Sequence, residues 1–387
     1  MRDRNHNIRC GLPAGKVSTV MANKARALDL TAGSTGALAE SSVAPLSRWS
    51  PVAADMTASR ADVGRGPIAG IALDASAGQL YVTNPADGSV AVLDIDTMAV
   101  TQVITDLPEA HAVGAAGGSV YVSIVSLDTD AVSIVDTALQ SGEEALADIY
   151  PVKETVRDLA LSPEGERIYL ARTTETGADV AVVDIITGAV STIAVPATTD
   201  SSAEAIAVSL DGRRVYLATA DHLGGRLIAI DTHTQRVVGV RDLPSQPHAL
   251  AVSRDGSTLL VARCDPHAGS DLDLVDAQGL RMMESVPVAG LLTEVAFSVA
   301  GERIYLVSGG RVSVLNAGTL EIVNTFDGVT DPSCIVESAD GAMLFVGGYD
   351  GKVSALPVGE ITDELLAQMM SADVIDVPML ELAQVAI

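Results

Sequence analysis

An all-β fold, a seven-bladed β-propeller of four-stranded blades, is predicted by three features of the sequence. A pattern of apolar strand, polar turn, aromatic- or Leu-led strand, polar hairpin and β-rich run recurs seven times, at intervals of 40 to 48 residues. That period, with about four strands per copy, is the signature of a propeller blade. One place in the second strand of each copy holds Tyr81, Tyr121, Tyr169, Tyr216, Leu260, Tyr305 or Phe345, so five of the chain's seven tyrosines share a single repeated position. The third strand ends in Asp94, Asp136, Asp184, Asp231, Asp276 or Asn316 in six copies.

Each element follows from its residues. The innermost strands read IALD from Ile71, LALS from Leu159, IAVS from Ile206, LAVS from Leu250, VAFS from Val295 and CIVES from Cys334. They are short apolar runs bounded by turn signals, as buried strands are. Tight turns such as Pro163–Glu166, Leu210–Arg213 and Arg254–Ser257 lead to the second strand, with Gly165, Gly212 and Gly256 supplying positive φ. The terminal Asp or Asn of the third strand bonds nearby backbone N–H groups and starts the turn into the fourth strand, a structural role. The seventh copy lacks a fourth strand, because Pro357 stands where the Asp belongs and proline ends strand pairing. An open sheet edge is a liability, so a strand from a terminus is expected to close the ring. Trp49–Thr57 is the candidate, with Val374–Ile387 as the rival.

The domain organisation is then an Ala- and Ser-rich arm over 1–47, the propeller over 48–358, and an acidic tail over 359–387. The arm is expected to be disordered. Its first 26 residues carry a net charge of +5, against −26 for the whole chain. They read equally as a basic arm for an anionic surface or as residues upstream of a true start at Met21. In the tail, Ile361, Leu365, Leu366 and Met369 share one helical face, and Asp363 and Glu364 suit its N-terminus. A short helix packed on the propeller is expected, with a partner-binding helix as the alternative.

Composition narrows the function. Hydrophobic residues at 48% are ample for a core, and aromatics at 3% leave Val, Ile, Leu and Ala to fill it. The acidic balance repels phosphate backbones, so no nucleic-acid partner is expected. No run of 18 apolar residues exists, so no membrane span is expected. The first residues do not form a signal peptide; a cytoplasmic monomer is the expectation, with export to the cell surface as an alternative. Cys10, Cys264 and Cys334 have no paired spacing, which argues against a disulfide framework or zinc site and for free thiols; Cys264 and Cys334, in or beside strands, read as inert packing. No cofactor and no metal are expected: GLPAGKVS over Gly11–Ser18 is one residue short of a phosphate loop, and HExxH, CxxC, GxSxG and dinucleotide fingerprints are absent.

The segments Leu80–Asn84 (LYVTN) and Gly88–Asp94 (GSVAVLD) resemble the YVTN-type β-propeller repeat, over about 290 residues and all seven copies. The resemblance implies a seven-bladed propeller with the innermost strands lining a central channel. No Trp-Asp pair marks a WD40 array. Members of that family include surface proteins, binding proteins and enzymes, so the resemblance fixes the fold and not the function.

The residues that enter each innermost strand point to one mouth of the channel. They are Ala69, His111, Arg157, Glu204, His248, Thr293 and Ser333, with a gap needed to place His111. The candidate catalytic or ligand-binding group is therefore His248, Glu204, Arg157 and His111, since polar groups converging on a concavity are a usual site signal. The segment Gln246–Ser253 (QPHALAVS) is similar to an inner strand of lactonase-type propellers, with Gln246-Pro247 in place of a Pro-Arg pair; Ala203–Ile206 is similar to a second such stretch. Three functions follow: a non-catalytic binding or scaffold module for a small molecule or protein, a lactone hydrolase or lyase, and an exported surface protein. Asp265, His267, Asp271 and Asp273 crowd one hairpin, as a divalent-ion site or, on their spacing, an exposed acidic loop. Asp221 and His222 read as a turn.

Overall fold

The structure is a computed structural model and describes residues 59–358 apart from 117, 126–129, 137–145, 153, 266–268 and 327–328. The arm, Trp49–Thr57, the tail, Cys10, Gly11–Ser18 and His267 lie outside these residues. The fold is an all-β propeller of seven four-stranded antiparallel sheets. Six blades are built from four consecutive strands. The seventh takes Pro332–Glu337, Met343–Gly348 and Lys352–Pro357, and its outer place is filled by Ser59–Asp62. Ser59 opposes Ala355 and Asp62 opposes Lys352. The strand on that edge thus stands just downstream of Trp49–Thr57.

The repeated residues explain why each copy folds alike. The seven second-strand positions, from Tyr81 to Phe345, are all at most 3% exposed and sit in the apolar layers within and between blades. Dense burial of this kind is the main favourable term for folding. The serine ending the innermost strand organises the next turn. Ser162, Ser209, Ser253, Ser298 and Ser338 each accept, at Oγ, the N–H five residues on, at 2.9–3.0 Å. Their carbonyls accept the N–H of Gly165, Gly212, Gly256, Gly301 and Gly341, all at positive φ. The acids ending the third strand cap the next turn: Asp94, Asp184 and Asp231 accept the N–H and hydroxyl of Thr97, Thr187 and Thr234. Those bonds hold all three carboxyls below the usual range.

The innermost strands run Gly70–Asp74, Val113–Ala116, Thr155–Leu161, Ser202–Val208, Gln246–Val252, Leu292–Phe297 and Pro332–Glu337. Each touches the innermost strand of the next blade, and the seventh touches the first. They close a ring around a central channel. All begin at the same end of that channel, which is what positions the candidate site. Among the described residues no helix is long and apolar enough to cross a membrane.

Candidate functional site

Five innermost strands break their ladder at one place. The pairing register shifts between Val156 and Asp158, Ala203 and Ala205, Pro247 and Ala249, Leu292 and Glu294, and Pro332 and Cys334. The residue skipped in each case is Arg157, Glu204, His248, Thr293 or Ser333. A bulge leaves one residue out of the ladder and re-aims its side chain, which is why bulges gather beside functional sites. Blades 1 and 2 pair without a shift. There Ala69 and His111 precede the strand, and their N–H groups donate to the carbonyls of Thr83 and Ser123.

The structure brings two of the four candidate side chains together. Arg157 Nε stands 3.8 Å from Glu204 Oε2, across the seam between blades 3 and 4. Glu204 also accepts the Ser202 hydroxyl at Oε1. His248, on blade 5, joins neither; its Nε2 is buried with no hydrogen-bond partner among the described residues. The carbonyl of His111 accepts the Thr83 hydroxyl at 2.6 Å, which ties blade 2 to blade 1 through the backbone. Thr293 and Ser333 spend their hydroxyls on backbone: Thr293 on Val307 O, and Ser333 on Ile68 O and Gly347 O.

Sequence reasoning missed the level beneath. The residue after each of these seven positions is Gly70, Ala112, Asp158, Ala205, Ala249, Glu294 or Cys334. Asp158 accepts the N–H of Leu159 at 2.8 Å and of Ile206, on the next blade, at 2.9 Å. Burial nonetheless pushes its carboxyl up to about 6. Among the described residues Glu294 accepts only the Val295 N–H, at 3.2 Å. Burial, and then the charge of Asp158, push it up to about 8. Blades 3 and 6 are not neighbours, so the two carboxylates sense one another across the channel. Cys334 on blade 7 stands in the same field: burial lifts its thiol to about 12, and Glu294 adds to the rise. Both residues are part-buried, and burial is the larger cause of both shifts. The signal available in the sequence was an acid in an otherwise apolar strand, RDLAL and TEVAF, at a place where other copies carry Gly or Ala.

The remaining candidates resolve into structure. Asp271 and Asp273 serve Arg263, a buried guanidinium on the neighbouring strand. Asp273 takes both its Nε and Nη2, and Asp271 lies 3.4 Å from Nη2. Arg263 also donates to Ser245 Oγ at 2.6 Å, anchoring the connector that leads to His248. Arg172 repeats the device in blade 3, with Asp179 and the Val152 carbonyl. His222 Nδ1 meets Asp200 on an exposed loop. Cys264 and Cys334 are buried, and neither is in a disulfide. Among the described residues no group of three or more His, Cys, Asp or Glu is placed to hold a metal ion.

Comparison with known proteins agrees with this architecture. No family model matches the chain. A seven-bladed β-propeller protein of Mycobacterium tuberculosis, Rv1057, is 34% identical over 328 residues, spanning 76% of this chain and 82% of the relative. Among solved structures, a chain of Kuenenia stuttgartiensis hydrazine synthase superposes with a TM-score of 0.68 at 17% identity, covering 77% of this chain and 97% of its own. The β-propeller domain of Cps50 (Swd1) from Myceliophteria thermophila superposes with a TM-score of 0.63 at 18% identity, covering 77% and 98%. At such identities the two superpositions speak for the fold alone. With the Mycobacterium relative matched over most of its length, and seven closed blades in the structure, the chain belongs to the family of seven-bladed β-propeller proteins.

Proposed function

We propose that the protein is a non-catalytic binding module whose ligand enters the channel at the mouth formed by Arg157, Glu204 and His248, with His111 at the neighbouring position. The observation that carries this reading is the bulge repeated at the same place in five blades. Three of the five skipped residues are ionisable, and one of them, His248, keeps a buried ring nitrogen without a partner among the described residues. A buried polar atom left unpaired costs about 1–3 kcal/mol, and a ligand's hydrogen bond removes that cost. Arg157 and Glu204 offset one another's charge, which suits recognition of a polar ligand better than attack upon it. The LYVTN and GSVAVLD segments support a place among YVTN-type propellers within the family, and we place the protein in the cytoplasm as a monomer.

A thermal-shift panel of lactones, sugar phosphates, carboxylates, amines and divalent ions tests the reading, since a ligand of the native state raises the melting temperature by mass action. The expected outcome is that one class raises the melting temperature of the wild type and that His248→Ala removes the shift. A shift retained in His248→Ala, or none with any class, contradicts it. Lactone turnover lost in His248→Ala would replace it with the hydrolase reading.

A further inference from the structure

Asp158 and Glu294 stand at the same level of the ring on the non-adjacent blades 3 and 6, and among the described residues no cation is paired with either. Asp158 is held by two backbone N–H groups, and Glu294 by one, at Oε1, so its Oε2 accepts no hydrogen bond from a described residue. Arg157 is adjacent to Asp158 in sequence but stands with Glu204. One level up, His248 Nε2 is buried and has no hydrogen-bond partner among the described residues. Like charges in a poorly solvated space are costly, and a structure retains them where something else supplies the opposite charge.

The chemistry of that opposite charge is constrained. A hard divalent cation takes about six or more oxygen ligands or keeps several waters, and no group of three or more ligating side chains is assembled among the described residues. An ammonium group has three N–H donors and one positive charge, which two facing carboxylates match. At the same level blades 1, 2, 4 and 5 carry Gly70, Ala112, Ala205 and Ala249. These neutral, small residues bring no competing charge. The net charge of −26 draws cations toward the molecule from a distance.

We propose that the channel takes a ligand bearing an organic ammonium group, seated between the carboxylates of Asp158 and Glu294, with its outer part at the mouth beside His248. The assignment rests on the channel-mouth reading above and names its ligand class. The charged and titratable groups of the two levels are Arg157, Glu204, His111 and His248 at the mouth, and Asp158, Glu294 and Cys334 below. Only the facing carboxylates gain a partner from the ammonium group, so binding strengthens as the pair ionises.

Isothermal titration of the full chain with putrescine at about pH 8.5, where amines remain protonated, tests the proposal. Butane-1,4-diol and magnesium chloride are the controls. The expected result is one putrescine per chain, no heat from the diol, and affinity lowered about tenfold or more in both Glu294→Gln and Asp158→Asn. Each substitution sheds a buried charge without changing shape, and the melting temperature of each variant checks its folding. In the wild type alone, affinity is expected to fall as the pH drops from 8.5 toward 5, a readout that needs no variant. Equal affinity in both carboxamide variants, equal binding of the diol, a Glu294-dependent site for magnesium instead, or no binding of putrescine overturns the proposal. The two readings fail separately. Loss in Glu294→Gln and Asp158→Asn with unchanged affinity in His248→Ala leaves the ammonium site and removes the mouth. Loss in His248→Ala alone does the reverse.

Discussion

Blades 1 and 3 share the four strands, the buried tyrosine and the turn into the fourth strand, yet they meet the channel in opposite ways. In blade 3 the ladder skips Arg157 and then carries Asp158. In blade 1 the ladder is regular, and the residue aligned with Asp158 is Gly70. A Cβ on Gly70 would lie 2.7 Å from the His111 carbonyl oxygen, so backbone itself closes the wall there. Blades 3 to 6 present charged or polar side chains, whereas blades 1 and 2 present Ala69, Gly70 and Ala112 beside the His111 backbone. The lesson is that the repeat specifies the blade, and departures from the repeat specify the channel. A bulge costs the sheet little and frees one side chain, so a symmetric fold becomes a one-sided site without altering its core.

Two substitutions at this aligned position would break or sharpen the comparison. The larger effect is expected in blade 6. The folded pKa of Glu294 stands at about 8, above the ordinary 4.5. For an acid raised in this way, the stability contribution is complete below the unfolded pKa and is lost as the pH rises through the folded one. The wild type should therefore lose stability between about pH 4.5 and 8. Glu294→Gln should flatten that slope and exceed the wild type above pH 8 by an amount on the order of a few kcal/mol. Asp158, raised to about 6, adds a slope of the same sign at lower pH. Urea unfolding of both proteins across this range measures it, and parallel pH profiles would mean that Glu294 is not a buried acid. The smaller effect is expected in blade 1. Gly70→Ala should destabilise by about 1–3 kcal/mol, because the added methyl meets a carbonyl held in place by the Thr83 hydroxyl. A neutral Gly70→Ala would mean that the wall yields there, and the contrast between the blades would weaken.

Most of the fold was legible because it is repeated. Tyr81 and its counterparts, the Ser–Gly turns such as Ser209–Gly212, and the terminal Asp residues such as Asp231 recur in register, and each makes the same contacts in blade after blade. The places of Arg157, Glu204 and His248 on the innermost strands could also be read, because they stand at a fixed offset from those landmarks. The bulges could not, since nothing in the apolar run LAVS announces that His248 is skipped. Asp158 and Glu294 escaped notice for a related reason. They occupy a level filled by Gly or Ala in four other copies, and their relation spans non-adjacent blades, a distance that no local pattern encodes. Asp271 and Asp273 read as an exposed acidic loop ahead of an ion site, yet Asp273 is buried, because their partner, Arg263, lies on the neighbouring strand.

The central claim is that a carboxylate pair on opposite sides of the channel awaits a positive charge. The most direct test is the proton balance of putrescine binding, taken by calorimetry in buffers of different ionisation enthalpy near neutral pH. Seating an ammonium group beside Glu294 lowers its pKa, so the wild type should release close to one proton per ligand bound, about as many as the linkage allows, and Glu294→Gln should release far fewer. Binding without proton release in the wild type, or with equal release in both proteins, would contradict the account.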